Sequence, residues 1–311
     1  MNMPWQINPG EVFHAHRDAI YTLEKGLTPE VFYSAGADGW IIEWNIFNSE
    51  KAIIIAKTDQ PIYALCLIPE NNLLIIGQKN GGIHFLDIIS RKLIASRQLN
   101  TSSIYCIQYL GDQKVFIGAG DGSVSIWDIN HFTCTWQLGI TSESIRSIAI
   151  NKTQQIIAVG SSDKTIRIYS IPHLQLTGQI STPTGSVFAL TFTSDGNSLW
   201  SSGRDAVIRI REIINQVPAE TEHVIPAHLY TVHDLCCHPQ LPIIASSSMD
   251  KTIKIWHIPT FELLKVIDKP KYAAHQSSVN KLQWLQDGDS LISCSDDRQI
   301  LSWRWENKNI L

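Results

Sequence analysis

No stretch of this sequence is apolar for long enough to cross a bilayer. The longest runs, such as Leu73–Gly77, are a few residues long, against about 20 for a spanning helix. The amino-terminal MNMPWQINPGEVF has neither the basic start nor the apolar centre of a secretory leader, so a cytoplasmic chain with no membrane contact is expected. Neither charge is in large excess: 25 Lys and Arg stand against 29 Asp and Glu, for a net charge of -4. That balance argues against nucleic acid as a partner and against a polybasic membrane contact. Charged residues are 17% and hydrophobic residues 44%, which excludes a disordered chain. None of the six cysteines, at 66, 106, 134, 236, 237 and 294, forms a CxxC, and most sit in apolar runs. Buried reduced thiols are expected, not a disulfide framework. GxSxG, HExxH, the P-loop and a GxGxxG after a strand are all missing, so no familiar catalytic signature is present and no cofactor is expected.

What the chain does have is a repeat. One short pattern occurs seven times: DGWIIEW at 38–44, NGGIHFL at 80–86, DGSVSIW at 121–127, DKTIRIY at 163–169, DAVIRIR at 205–211, DKTIKIW at 250–256 and DRQILSW at 297–303. The closing residues Trp44, Leu86, Trp127, Tyr169, Arg211, Trp256 and Trp303 are spaced by 42, 41, 42, 42, 45 and 47. A fixed period of this size signals a stacked or circular array of one unit. Inside each unit apolar residues alternate, which is strand chemistry. In IIASSSMDKTIKIW, 243–256, a strand enters a turn at Met249–Lys251 and a second strand leaves it. A further strand precedes this hairpin, as at 231–238, and another follows, as at 262–267. Four-stranded sheets with two apolar faces must pack against similar sheets on both sides.

On these seven units the chain resembles the WD-repeat family of β-propellers over essentially its whole length. The resemblance implies an all-β, seven-bladed propeller of four-stranded antiparallel blades. It would be one domain, 1–311, with blades near 15–57, 58–99, 100–140, 141–182, 183–226, 227–273 and 274–311. Only eight residues follow Trp303, too few for a full outer strand, and a strand candidate near Trp5–Phe13 is unassigned. Residues 1–14 are therefore expected to supply the outer strand of blade 7, because an open sheet edge would invite aggregation.

Family resemblance also implies a buried hydrogen-bond tetrad of His, Ser or Thr, Asp and Trp. Three blades carry all four members: His16, Ser34, Asp38 and Trp44; His228, Ser246, Asp250 and Trp256; His275, Ser293, Asp297 and Trp303. A His–Asp–Ser set resembles a hydrolase triad, but a threefold occurrence with each Ser inside a strand points to structure. In blades 2 to 5 the His position holds Thr58, Asn100, Thr141 and Pro183, and Arg211 replaces the Trp of blade 5. Those blades are expected to depend more on apolar packing.

The first apolar residues of the innermost strands are Ile20, Ile62, Ile104, Ile145, Val187, Val232 and Val279. Each is followed by Tyr21, Tyr63, Tyr105, Arg146, Phe188, His233 or Asn280. In the family that position lies at the top mouth of the central channel and often contacts partners. Aromatic and Arg side chains are the types that anchor interfaces. With Lys79, Arg204 and Tyr230 nearby, the residues imply a partly electropositive top face that binds an extended peptide or loop. The opposing reading is a channel plugged by its own tyrosines. The expected protein is a non-catalytic interaction scaffold, a monomeric propeller within a larger complex; a propeller enzyme or a nucleic-acid platform through the Lys and Arg residues are the alternatives. His233, Asp234, Cys236, Cys237 and His238 alternate along one strand and so cannot converge on a metal ion. The longer linkers, 213–226 and 267–274, are expected to be solvated insertions.

Overall fold

A computed structural model of the chain describes residues 5–171, 173–182, 184–285 and 288–307. It contains seven antiparallel sheets arranged in a ring, the architecture of a seven-bladed β-propeller. In blade 1, from axis to rim, the strands are Ile20–Lys25, Val31–Gly36, Trp40–Asn45 and Asn48–Lys57. Blades 2, 3, 4 and 6 repeat that order. In blade 5 the outer position is shared by two short segments, Val217–Pro218 and His223–Pro226, both paired with Val207–Ile214. Each innermost strand packs against the innermost strands of both neighbours, and Ile20–Lys25 meets Val279–Trp284 to complete the circle.

The ring is closed by the amino terminus. Trp5–Phe13 pairs antiparallel with Ile300–Asn307, in register from Gln6↔Glu306 to Phe13↔Ile300, with an irregularity between Pro9 and Val12. Pro9 is tolerated because this is an edge strand. At the irregularity the Glu11 N–H donates to Ser302 Oγ at 2.7 Å. Phe13 is fully buried and meets Phe32 and Trp44 of blade 1 edge-on, with ring centroids at 5.2 and 5.4 Å. The closing strand therefore also wedges blade 7 against blade 1.

Blades converge on the axis, so residues between inner strands must be small where backbones approach. The seven first apolar residues, Ile20 to Val279, are all buried. A Cβ on Gly77, Gly118 or Gly160 would lie 2.5–2.7 Å from the first apolar residue of the following blade, Ile104, Ile145 or Val187. The equivalent positions in the other blades hold Ala35, Ser202, Ser247 and Cys294, all buried. The 267–274 linker contains a four-residue helix, Lys269–Tyr272, capped by the Asp268 side chain.

Candidate functional site: the channel mouth

All seven inner strands share a device the sequence did not announce. Each shows a β-bulge directly after its first residue, between Ile20 and Thr22, Ile62 and Ala64, Ile104 and Cys106, Ile145 and Ser147, Val187 and Ala189, Val232 and Asp234, and Val279 and Lys281. The extra residue in each is Tyr21, Tyr63, Tyr105, Arg146, Phe188, His233 or Asn280. A bulge leaves its extra residue out of the ladder and re-aims the side chain. Here all seven are delivered to the lining of one axial cavity of about 420 Å3.

The seven side chains join into a continuous belt. Tyr21 and Tyr63 have ring centroids 5.1 Å apart, Tyr63 and Tyr105 5.4 Å. The Arg146 guanidinium lies 4.1 Å from the Tyr105 centroid and 5.5 Å from that of Phe188, cation–π distances on both sides. Its Nε–H donates to Ser162 Oγ at 3.2 Å. Phe188 meets His233 edge-on at 6.5 Å. His233 Nδ1 lies 3.2 Å from Asn280 Oδ1. Asn280 Nδ2 donates to the Ile20 carbonyl at 2.9 Å and to Asp296 Oδ1 at 2.8 Å, which returns the belt to blade 1. Every member is half-buried. Lys79, Arg204 and Tyr230 stand outside the belt and are exposed.

His233 adds nothing to the expected positive charge of this face. Burial lowers the His233 pKa, against its bond to Asn280 and the charges of Asp296 and Asp234. A desolvated imidazole sheds its proton, so His233 contributes no positive charge at neutral pH. Tyr21 is raised by burial, then by Tyr63 and by the carboxylates Asp296 and Asp18; Arg146 pulls the other way on Tyr63. Deeper in the cavity Asp234 takes Lys281 Nζ at 2.9 Å and the Leu282 N–H at 3.0 Å, bolting blade 6 to blade 7. Glu24 also lines the cavity, and loss of water raises its carboxyl to about 7 despite Lys25 and Lys281.

The tetrads are hydrogen-bonded networks. His16 Nδ1 lies 2.9 Å from Asp38 Oδ2 and its Nε2 2.7 Å from Ser34 Oγ, to which Trp44 Nε1–H donates at 2.8 Å. In blade 6 the same distances for His228, Asp250, Ser246 and Trp256 are 2.9, 2.7 and 2.8 Å. In blade 7 those for His275, Asp297, Ser293 and Trp303 are 3.0, 2.9 and 3.0 Å. One assignment satisfies every member: Trp donates to Ser, Ser to His Nε2, and His Nδ1–H to the carboxylate. Each Ser is buried inside a strand, with the Trp indole donating to its oxygen, so none is placed as a nucleophile.

Blades 3 to 5 have polar anchors beside the apolar packing expected of them. Asn100 Nδ2 donates to Asp121 at 2.7 Å. Arg167 reaches Asp163 at 2.7 Å. In blade 5 Arg209 and Thr184 both reach Asp205 at 2.7 Å. Where the His is absent, another donor holds the turn carboxylate; in blades 4 and 5 it is an Arg four residues further on. Pro183 lies outside the described residues. Arg211, in place of Trp, pairs with Glu222 at 3.2 Å. Blade 2 has Asn80 at the turn and a separate chain in which His84 links Gln78 and Ser96 at 2.8 and 2.7 Å.

The cluster at 233–238 is dispersed. His233 sits in the belt, Asp234 on Lys281, and His238 Nε2–H donates to the Gly288 carbonyl at 2.7 Å while its Nδ1 accepts the Gln240 and Leu241 N–H groups. Among the described residues no group of three His, Cys, Asp or Glu side chains could hold a metal ion. All six cysteines are free.

The family model for the WD domain, G-beta repeat, matches residues 91–128, 132–170, 219–257 and 268–304. The first three segments run from the outer strand of one blade into the third strand of the next, so each repeat interlocks two blades. The chain is similar to apoptotic protease-activating factor 1 of Homo sapiens, 21% identical over 86% of this chain and 17% of that protein. Coronin-7 of Pongo abelii is 30% identical over 35% of the chain and 12% of its own length. Pre-mRNA-processing factor 19 of Mus musculus is 31% identical over 34% and 19%. The chain thus spans less than a fifth of each of these relatives. Seven interlocked sheets, three complete His–Ser–Asp–Trp networks and four matched segments identify the chain as a member of the WD-repeat family of β-propellers.

Proposed function

We propose that this propeller is a non-catalytic scaffold that binds an extended peptide or loop of a partner protein across the channel mouth. WD-repeat propellers generally bind protein partners and act in complexes. The observation that carries the reading here is the belt: seven bulges spend seven residues on the mouth, four of them aromatic and one Arg, on a rigid frame. Large side chains held with little rotamer freedom bind at low entropic cost. The tyrosine contacts run along the rim, from blade 1 to blade 2 to blade 3. That supports a lined mouth over a plug. The propeller would work as one module of a larger assembly. The six unpaired cysteines support a cytoplasmic setting.

The test is the double variant Tyr63→Ala, Phe188→Ala. Partner capture from native lysate should be lost while the thermal midpoint stays within a few degrees of wild type. Unfolding of the variant would instead favour the plug, and undiminished capture would move the interface elsewhere.

A further inference from the structure

The mouth is electrically two-sided. In a ring of seven, blade 4 lies opposite the junction of blades 7 and 1. Arg146 belongs to blade 4. At the 7–1 junction stand Asp296, bonded to the belt through Asn280 at 2.8 Å, and Asp18, whose charge together with that of Asp296 is felt at the Tyr21 hydroxyl. Arg17, the cation next to Asp18, is turned away: its guanidinium lies 4.5 Å from the Trp40 centroid. On the far side Arg204 of blade 5 is exposed. His233, between the two poles, is neutral at neutral pH. The tyrosine row spans one arc between the poles, and Phe188 with His233 the other.

We propose that the bound segment is itself polar in charge, with an Asp or Glu side chain over Arg146 and a Lys or Arg side chain over Asp18 and Asp296. This rests on the peptide-binding reading above and fixes the direction in which the peptide lies. Arg146 is suited to a carboxylate. Tyr105 and Phe188 hold its plane and Ser162 fixes its Nε. Its terminal N–H groups have no partner among the described residues, and they form the fork that grips a carboxylate with two bonds. At the other pole the Tyr21 face and two carboxylates suit an ammonium or guanidinium group. Opposed charges chiefly select one orientation and reject the reverse.

A random linear peptide library displayed on phage and panned on the folded propeller tests this. Peptides that depend on the mouth should carry an acidic and a basic residue at a fixed separation. In titration calorimetry, exchanging those two residues should weaken binding by about tenfold or more. Arg146→Gln should weaken a peptide only while its acidic residue is present, and Asp296→Asn only while its basic residue is present. Should Arg146→Gln fold poorly, the charge-exchanged peptides on wild-type protein and the exposed Asp296→Asn still decide the matter. Peptides lost with Tyr63→Ala, Phe188→Ala but indifferent to charge exchange would overturn the polarity and leave the peptide-binding reading intact. Peptides indifferent to that double variant, or tighter binding of a single-stranded oligonucleotide than of any peptide, would overturn both.

Discussion

Blades 6, 7 and 1 hold their turn carboxylates with a buried imidazole; blades 3, 4 and 5 hold theirs with Asn or Arg. The His-bearing blades are contiguous, and the junction where the two ends of the chain meet lies among them. A seam made by pairing residues 5–13 with 300–307 has no covalent continuity across it. It is flanked on both sides by four-member networks that tie the connection before a blade's inner strand to its second and third strands. The other arc is continuous chain, where consecutive blades are linked by short connections, and it tolerates ion pairs in place of the tetrad. The difference teaches that one circular fold has unequal needs around its circumference.

Breaking the seam should have the largest effect. Removing residues 1–13 takes away an entire ladder, the fully buried Phe13 and the buried Ile7. One buried Phe alone is worth about 3–5 kcal/mol, against about 5–15 kcal/mol for a whole protein. The truncated chain is expected to lose its cooperative thermal transition, followed by circular dichroism. A normal melt would show that the tetrads can hold the ring shut without the closing strand.

Next come the two kinds of carboxylate anchor. Asp205→Ala strips a partner from Arg209, whose side chain is 8% exposed; an orphaned buried charge costs about 3–5 kcal/mol. Glu222, at 3.7 Å, should soften this. Replacing Arg209 by Met in the same chain should recover much of the loss. Asp250→Ala leaves His228, Thr252 and two backbone N–H groups without their acceptor, at about 1–3 kcal/mol for each group left unsatisfied. Because His228 is neutral, with burial lowering its pKa, the tetrad loses bonds but strands no charge. Denaturant midpoints of the three variants decide the order. If Asp250→Ala is the more harmful, the tetrad acts as a cooperative unit and not as a set of separate bonds.

The same carboxylates set an acid limit. Burial pushes Asp38, Asp250 and Asp297 up, but bonds to His16, His228 and His275 and to backbone N–H groups outweigh it, so all three lie below the usual value of 3.8. A depressed folded pKa stabilises above the unfolded value and loses that stabilisation as pH falls through the folded one. Thermal midpoints should therefore be flat in this respect above about pH 4 and fall below it. Asp250→Asn should flatten part of that fall.

Much of this was legible before any coordinates. Seven copies of a turn and an alternating strand gave the blade number and the all-β class, and the eight residues after Trp303 pointed to the amino terminus as the closing strand. The tetrads could be named because the family resemblance implies them and three blades carry all four members at equal offsets. The Arg substitutes were less visible, although D-x-x-x-R stands in the sequence at 163–167 and 205–209. An ion pair is recognised by where a long side chain turns back, which no periodicity records. The bulges were also hidden: they have no common residue type, since Tyr, Arg, Phe, His and Asn all occupy them. Alignment on the first apolar residue picked out the seven residues that line the cavity, but not the bulge that puts them there. Asp18 has no mark in the sequence, because it matters only once the ring brings it to Tyr21.

The smallest effect expected sharpens the comparison from within the tetrad arc. Glu24 sits on the inner strand of blade 1, and loss of water raises its carboxyl from 4.5 to about 7, with Lys25 and Lys281 opposing. Between those values the folded protein retains a proton that the unfolded chain has released. Stability from this group therefore falls as pH rises from about 4.5 to about 7 and is level above that. Glu24→Gln should leave the thermal midpoint near pH 4.5 unchanged and raise it modestly at pH 8, erasing the slope between. An unaltered slope would mean that water in the channel hydrates the carboxylate and that this side of the axis carries no electrostatic penalty. A lost slope would mean that the tetrad arc also harbours an acid whose ionisation opposes folding, and the tetrads of blades 7 and 1 would then be stabilising a channel wall that its own carboxylate destabilises at neutral pH.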